Sequence, residues 1–240
     1  MIPHDILTLY TAKMIEYGIA VMFLLLFVPF WRFVQAPARA LQPVRATAAA
    51  RKTTLADWFS VPEDLLFHRG HAWARPEASG TVAIGLNDFA AHLVGPVSRI
   101  ALPSVGTRIG QGEQAWRIVG DDGRAVEMLA PVDGAVVEVN AALAEHPELA
   151  LTDPFGRGWL MKVQPNRLRA NLTGLLSGQP ARRWMQDVAA GLQTRIAPGM
   201  GALAQDGGAP MPGIARMLDA EHWNDVASEF LLTAEETRHA

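Results

Sequence analysis

From Phe67 to Pro165 the chain is a succession of short apolar runs, none longer than one strand and each cut off by glycine or proline. The runs are TVAIGL, VSRIAL, QAWRIV, AVEMLA, GAVVEVN and GWLMKVQ, and the breaks between them carry Ser-Gly, Val-Gly, Asp-Asp-Gly and Asp-Gly. Those dipeptides supply the positive φ angles that close turns demand. So many short strands with close turns argue for a compact β-sandwich or barrel. No long helix separates successive strands, which speaks against a doubly wound parallel sheet. Two helical interruptions are expected: NDFAAHLVG, with Asn87 as N-cap, and AALAEHPELA. Ahead of them, SVPEDLLF from Ser60 reads as a short helix start, with Ser, then Pro, then two acids.

Beyond Asn166 the pattern turns helical. Leu168, Leu172, Leu175 and Leu176 share one face, and Gly-Gln-Pro at 178–180 breaks the run before Trp184, Met185, Val188 and Leu192 form a second. Residues 197–213, APGMGALAQDGGAPMPG, contain five glycines and three prolines and read as a flexible tether. A last amphipathic stretch follows, with Trp223, Val226 and Phe230 at helical spacing. It can dock on the parent domain or on another protein, and the long tether favours the remote site.

At the other end, YGIAVMFLLLFVPFW from Tyr17 to Trp31 carries no charge, and its apolar character reaches back through Ile6, Leu7, Leu9 and Tyr10. A helix from Asp5 to Val34 is long enough for a hydrocarbon core of roughly 30 Å, and is expected to be a membrane anchor. Lys13 and Glu16, three apart, pair on one face at its boundary; Trp31, with Phe30 and Phe33, marks an aromatic interface, and Pro29 can kink the helix there. Gly18 and Ala20 allow close approach of partner helices. Arg32, Arg39, Arg45, Arg51 and Lys52 follow with no acid among them, so the positive-inside rule puts the folded domain on the cytoplasmic side of the inner membrane, in single-pass topology. A cleaved signal peptide is the rival, because Ala-Pro-Ala and Ala-Arg-Ala after Gln35 imitate a cleavage pattern, but its positive charge belongs before the apolar run. Residues 35–55 read as a juxtamembrane linker whose basic charge can touch anionic headgroups.

Composition narrows function by exclusion. A formal charge of −3, with no basic stripe interleaved with aromatics, argues against nucleic acid as a partner. The absence of cysteine removes disulfides, thiolate metal sites and cysteine nucleophiles. His68 and His71 have an H-x-x-H spacing, yet on a strand their side chains diverge, so no metal site is expected there; His92, His146 and His222 stand apart. Asp121, Asp122 and Glu127 are explained by a turn and a solvated strand face, and Ile-Gly-Gln-Gly-Glu at 109–113 by hairpin chemistry, since it does not join a strand to a helix.

Several ordered segments carry a family resemblance: His71 with Trp73, GLNDF at 85–89, LPSVG at 102–106, APVDG at 130–134 and DPFGRGWL at 153–160. Over residues 66–165 the chain resembles the H protein of the glycine cleavage system, which implies a mainly β fold, the lipoyl-like barrel-sandwich hybrid, here with an N-terminal transmembrane helix and C-terminal helices. The expected divisions are the anchor at 1–35, the juxtamembrane linker at 36–60, the barrel-sandwich at 61–165, a helical extension at 166–196, a flexible linker at 197–213, and an amphipathic helix and tail at 214–240. The family carries lipoate on a lysine at the tip of an exposed hairpin. Counting back from Ala-Pro-Val, the resemblance puts Gly123 at that position, between Asp122 and Arg124. Arginine offers no amine for acylation. The chain holds only Lys13, Lys52 and Lys162, none at a hairpin tip, while Asp-Gly suits a two-residue hairpin loop.

These features predict a protein that is not an enzyme, with no cofactor and no metal: a non-lipoylated, membrane-anchored subunit acting as an assembly or docking element in a larger membrane complex, of respiratory or other redox type. Its partners are integral-membrane and peripheral subunits and membrane lipid, with Asp122, Gly123 and Arg124 as the candidate partner contact and Lys13, Glu16, Trp31 and Arg32 framing the anchor. The alternatives are an extracytoplasmic adaptor built on the barrel-sandwich and a carrier with an unconventional attachment site.

Overall fold

The computed structural model describes residues 13–14, 16–27, 58–196 and 211–234. The chain divides into two compact units, Met1–Arg51 and Lys52–Ala240.

In the first unit residues 16–27 are helical (α1), and Lys13 Nζ donates to Glu16 Oε2 at 3.1 Å, the pairing expected from their spacing. Both side chains are more than half exposed, as are most of the apolar residues from Tyr17 to Leu26. Among the described residues no helix is long and apolar enough to cross a membrane. The remainder of the expected anchor, including Trp31 and Arg32, lies outside the described residues.

Among the described residues, the second unit is built on nine strands. One sheet has the order β1 (Leu66–Phe67), β2 (Ala72–Pro76), β3 (Val82–Leu86), β9 (Met161–Pro165), β8 (Gly134–Val139), β5 (Arg108–Ile109); the other has β4 (Val97–Ala101), β6 (Gln114–Gly120), β7 (Ala125–Leu129). Every neighbouring pair is antiparallel. The six runs read from the sequence are β3, β4, β6, β7, β8 and β9. Their inward residues, among them Val82, Ile84, Ile118, Val126, Met128, Val136, Met161 and Val163, form the core between the sheets. At about 25 cal/mol per Å² of apolar surface, such residues contribute the larger part of the folding free energy.

Two expectations are corrected here. Residues 60–65 do not start a helix: Glu63 and Asp64 form a turn, and Leu65 and Phe67 point into a small second core with Trp73, Ala83 and Ala181. Strand pairing of Phe67 with Trp73 and its bridge to Leu176 override the local helix signal. Nor is 68–71 strand. It is a tight turn between β1 and β2, with His71 at φ 62° and Gly70 N donating to His68 Nδ1.

Asn87 caps α2 (Asp88–Val94), accepting from Ala90 N at 2.9 Å. The AALAEHPELA segment becomes two single turns, α3 (Ala142–Glu145) and α4 (Leu149–Thr152). After β9, α5 (Leu168–Thr173) is short, and α6 runs Gly178–Arg195 with Pro180 in its first turn, where a missing N–H costs nothing. Its Met185, Ala189 and Leu192 join the main core.

Contrary to the remote docking favoured by the tether, the C-terminal segment packs on its own domain. Helices α7 (Ile214–Leu218) and α8 (Trp223–Phe230) bury Ile214, Ala215, Trp223 and Ala227 in the main core, with Leu231 just beyond. The buried stripe of α8 is thus 223, 227 and 231, while Val226 and Phe230 pack at its edge. Burying a whole indole and a leucine holds this segment on the domain, and residues 197–210 of the expected tether lie outside the described residues.

Candidate functional site

The β6–β7 hairpin carries the candidate apex. Its strands pair from Gln114↔Leu129 to Val119↔Ala125, and Trp116, Ile118, Val126 and Met128 anchor it in the core. The turn is not the expected two-residue loop. Gly120 N donates to Arg124 O at 2.8 Å and Gly123 N to Gly120 O at 3.1 Å, enclosing Asp121, Asp122 and Gly123. Of these three only Gly123 has positive φ, at 80°, the three-residue form in which a left-handed residue closes the loop. Asp122 Oδ1 accepts from Arg124 N at 3.1 Å and braces it. A Cβ at Gly123 meets nothing within 4 Å.

Asp122, Gly123 and Arg124 therefore stand together, and the side chains of Asp122 and Arg124 are engaged by residues a hundred positions away. Trp223, fully buried, donates its indole N–H to Asp122 Oδ2 at 2.6 Å. Arg216 places its guanidinium 4.5 Å from the Trp223 ring centroid, 2.7 Å from Asp121 Oδ1 and 3.7 Å from Asp122 Oδ1. Its Nε has no hydrogen-bond partner among the described residues, so charge and the indole face hold it. Arg124 lies 3.5 Å from Asp122 and donates to Ala220 O at 3.4 Å. Desolvation on its own raises the Asp122 pKa, but the Trp223 N–H, the Arg124 backbone N–H and the Arg216 and Arg124 charges together hold it below the ordinary carboxylate range.

The segment is seated at its other end by glycine. Gly213 N donates to His92 O at 2.8 Å, and a Cβ on Gly95 would lie 2.4 Å from Gly213 Cα. Gly95 also has φ 77°, so both space and conformation exclude a side chain. Arg195, at the end of α6, pairs with Glu229 and lies over the Phe230 ring.

The other titratable candidates are spoken for. Lys162 Nζ is 3.1 Å from Glu138 and 3.7 Å from Glu77, beside the Trp159 ring, and the bond to Glu138 leads the causes that raise its pKa. His71 is buried between Phe89 and Trp184, with ring centroids 4.4 and 4.8 Å away. Its Nδ1 accepts from Asn87 Nδ2, which fixes the proton on Nε2, and burial pushes its pKa down to about 3. His92 Nδ1 donates to Asp88, whose hydrogen bond raises its pKa. His146 pairs with Glu148, His222 with Asp219, and Arg117 with Glu127 on the strand face. Arg216 and Trp223 were not singled out from the sequence as site residues: the helical spacing of Trp223 was visible, its acidic partner was not.

Residues 65–188 match the family model described as Glycine cleavage H-protein. The glycine cleavage system H protein of Halorhodospira halophila is 41% identical over 105 residues, covering 44% of this chain and 80% of that protein. Its counterpart in Thermus thermophilus is 40% identical over 105 residues, with 44% and 80% covered. That of Cronobacter sakazakii is 33% identical over 128 residues, covering 53% of this chain and 98% of that protein. With the family model spanning more than half of its length, on a mainly β domain that carries the same ordered segments, the chain belongs to the glycine cleavage H-protein family.

Proposed function

We propose that this protein is a non-catalytic, non-lipoylated member of the family, anchored in the inner membrane by its N-terminal apolar run, with the folded domain on the cytoplasmic side, and that it serves as an assembly or docking element of a larger membrane complex of respiratory or other redox type. The observation that carries it is the apex of the β6–β7 hairpin, where Gly123 in a closed turn stands at the position assigned to the lipoyl lysine. No lysine occurs between Lys52 and Lys162, so the hairpin has no amine to acylate. An unconventional attachment at Lys162 is disfavoured, because that ammonium lies within β9, engaged by Glu138 and Glu77, and not at a hairpin tip. Integral-membrane and peripheral subunits, and membrane lipid, are the partners this arrangement suits. A rigid β domain of this kind offers shape and fixed charge where its relatives' names describe a part in glycine cleavage.

Two measurements test the proposal in the native host. The intact mass of the purified chain is expected to equal that of the unmodified polypeptide, and an added dithiolane-bearing acyl group would reject the non-carrier half. Affinity purification in mild detergent is expected to bring down integral-membrane subunits at fixed stoichiometry. A lone monomer in the membrane fraction would reject the assembly half.

A further inference from the structure

We propose that residues 213–234 form an intramolecular cap that shuts the hairpin apex against any acylating enzyme or partner that must grasp the turn, so that a lysine restored at position 123 does not make this domain a carrier. The proposal builds on the non-carrier reading but adds a second barrier to the missing amine. The cap holds the turn along one face: Trp223 and Arg216 engage Asp122 and Asp121, and Arg124, which itself lies against the Asp122 oxygen that accepts from Trp223, donates to the backbone of Ala220. Gly120, at the base, is packed so closely that a Cβ there would lie 2.5 Å from the Arg216 guanidinium and 2.7 Å from the Trp223 ring. With α8 packed beside β7, one face of the hairpin is covered up to the turn, while residues 121–124 themselves are exposed.

Gly123 itself faces open space, with nothing within 4 Å of a Cβ. A lysine fits there at the modest cost of a left-handed conformation. What the cap denies is the approach of an enzyme that has to enclose the turn on both sides. Lifting the cap exposes Trp223, Ala227 and Leu231 at one end and breaks the Gly95–Gly213 contact at the other, so the open form is a minor state.

The test uses the full chain with Gly123→Lys, alone and combined with Arg216→Ala and Trp223→Ala to loosen the cap. Each is incubated with lipoate, ATP and a lipoate–protein ligase of proven activity on an ordinary H protein. The ligase joins the lipoate carboxyl to AMP with release of pyrophosphate. The lysine Nζ then displaces AMP, losing a proton as the amide forms, and intact mass reports the product. Because the rate follows the fraction of molecules with the cap open, the loosened chain is expected to be acylated at least about tenfold faster than Gly123→Lys alone. Gly123→Lys with Arg216→Ala only, which keeps the buried indole, is expected to fall between them. Hydrogen exchange on β6 and β7 verifies that each barrel is folded. Equal rates for the capped and loosened chains would overturn the cap. So would a loosened chain whose turn exchanges freely yet takes no lipoyl group. Rapid acylation of Gly123→Lys defeats the cap and leaves the non-carrier reading of the native chain intact, whereas a lipoyl group on the native chain defeats that reading and not the cap.

Discussion

Asp122 concentrates the chemistry of the apex. Its carboxylate accepts from an indole N–H and a backbone N–H and faces two guanidiniums, so it is charged wherever the protein is folded near neutral pH. Trp223→Phe keeps an aromatic ring in the pocket but removes the donor and part of the buried ring, and is expected to lower stability by about 2–3 kcal/mol, seen as a reduced urea midpoint with unchanged m value. His71 sets a second expectation. With its folded pKa near 3 against an unfolded value near 6.5, the unfolded chain binds the extra proton between those limits. The stability it supports is complete above pH 6.5 and falls as pH drops toward 3, by at most about 1.4 kcal/mol per pH unit. His92 acts in the opposite sense: its pKa is raised, so its contribution is full below pH 6.5 and lost as pH rises through the folded value. Urea unfolding at pH 7 and pH 5 checks the first of these, because His71→Asn, whose side chain tolerates positive φ, should flatten the acid limb. An unchanged limb would show that His71 is not the group responsible. In the sequence His71 was visible through its family pattern and its spacing from His68, and neither pointed to its surroundings. Its strained turn and its burial arise from Asn87, sixteen residues on, and from Trp184 on a distant helix, and no local spacing encodes either contact.

At the scale of elements, legibility followed locality. Strands β3, β4, β6, β7, β8 and β9 and the Asn87-capped helix were readable because each is specified by its own apolar run and its own turn residues. Strand β2 is not legible from spacing, since Ala72, Trp73 and Ala74 are all buried and give no alternation, and β5 is two residues held by β8. The helix start assigned to Ser60 failed because Leu65 and Phe67 find a core together with Ala181 of α6. The docking of α7 was likewise hidden in a pair of glycines 118 positions apart (213 − 95). That pair is directly testable. Gly95→Ala forces a Cβ to within 2.4 Å of Gly213 Cα at a positive φ, and is expected to cost about 2–4 kcal/mol. Limited proteolysis should then release residues 211–234 before the barrel is cut. Gly191→Ala, on α6 with nothing within 4 Å of its Cβ, is the matching control and should be neutral or slightly stabilising.

Across the whole Lys52–Ala240 unit, the question is whether the cap is held by its visible ion pairs or by the core it shares with the barrel. The pairs at its border are Arg216 with Asp121 and Asp122, and Arg195 with Glu229, all at least partly exposed. Pairs of that kind contribute about 0–1 kcal/mol and are screened by salt. Against them stand Ile214, Ala215, Trp223, Ala227 and Leu231, each no more than 3% exposed and continuous with Val126, Met128 and Phe89 of the barrel. Removing a buried tryptophan or leucine side chain costs about 2–5 kcal/mol, so burial outweighs charge. In the native chain the cap should therefore open rarely, at a free energy close to that of the barrel and set by burial, not by charge. Amide exchange of α8 is expected to be as slow as that of β6 and β7, and to change by less than about threefold when sodium chloride is raised from about 0.05 to 1 M. Exchange in α8 that accelerates tenfold or more with salt, while β6 and β7 stay protected, would assign the cap to its ion pairs and make it a latch that ionic conditions can open.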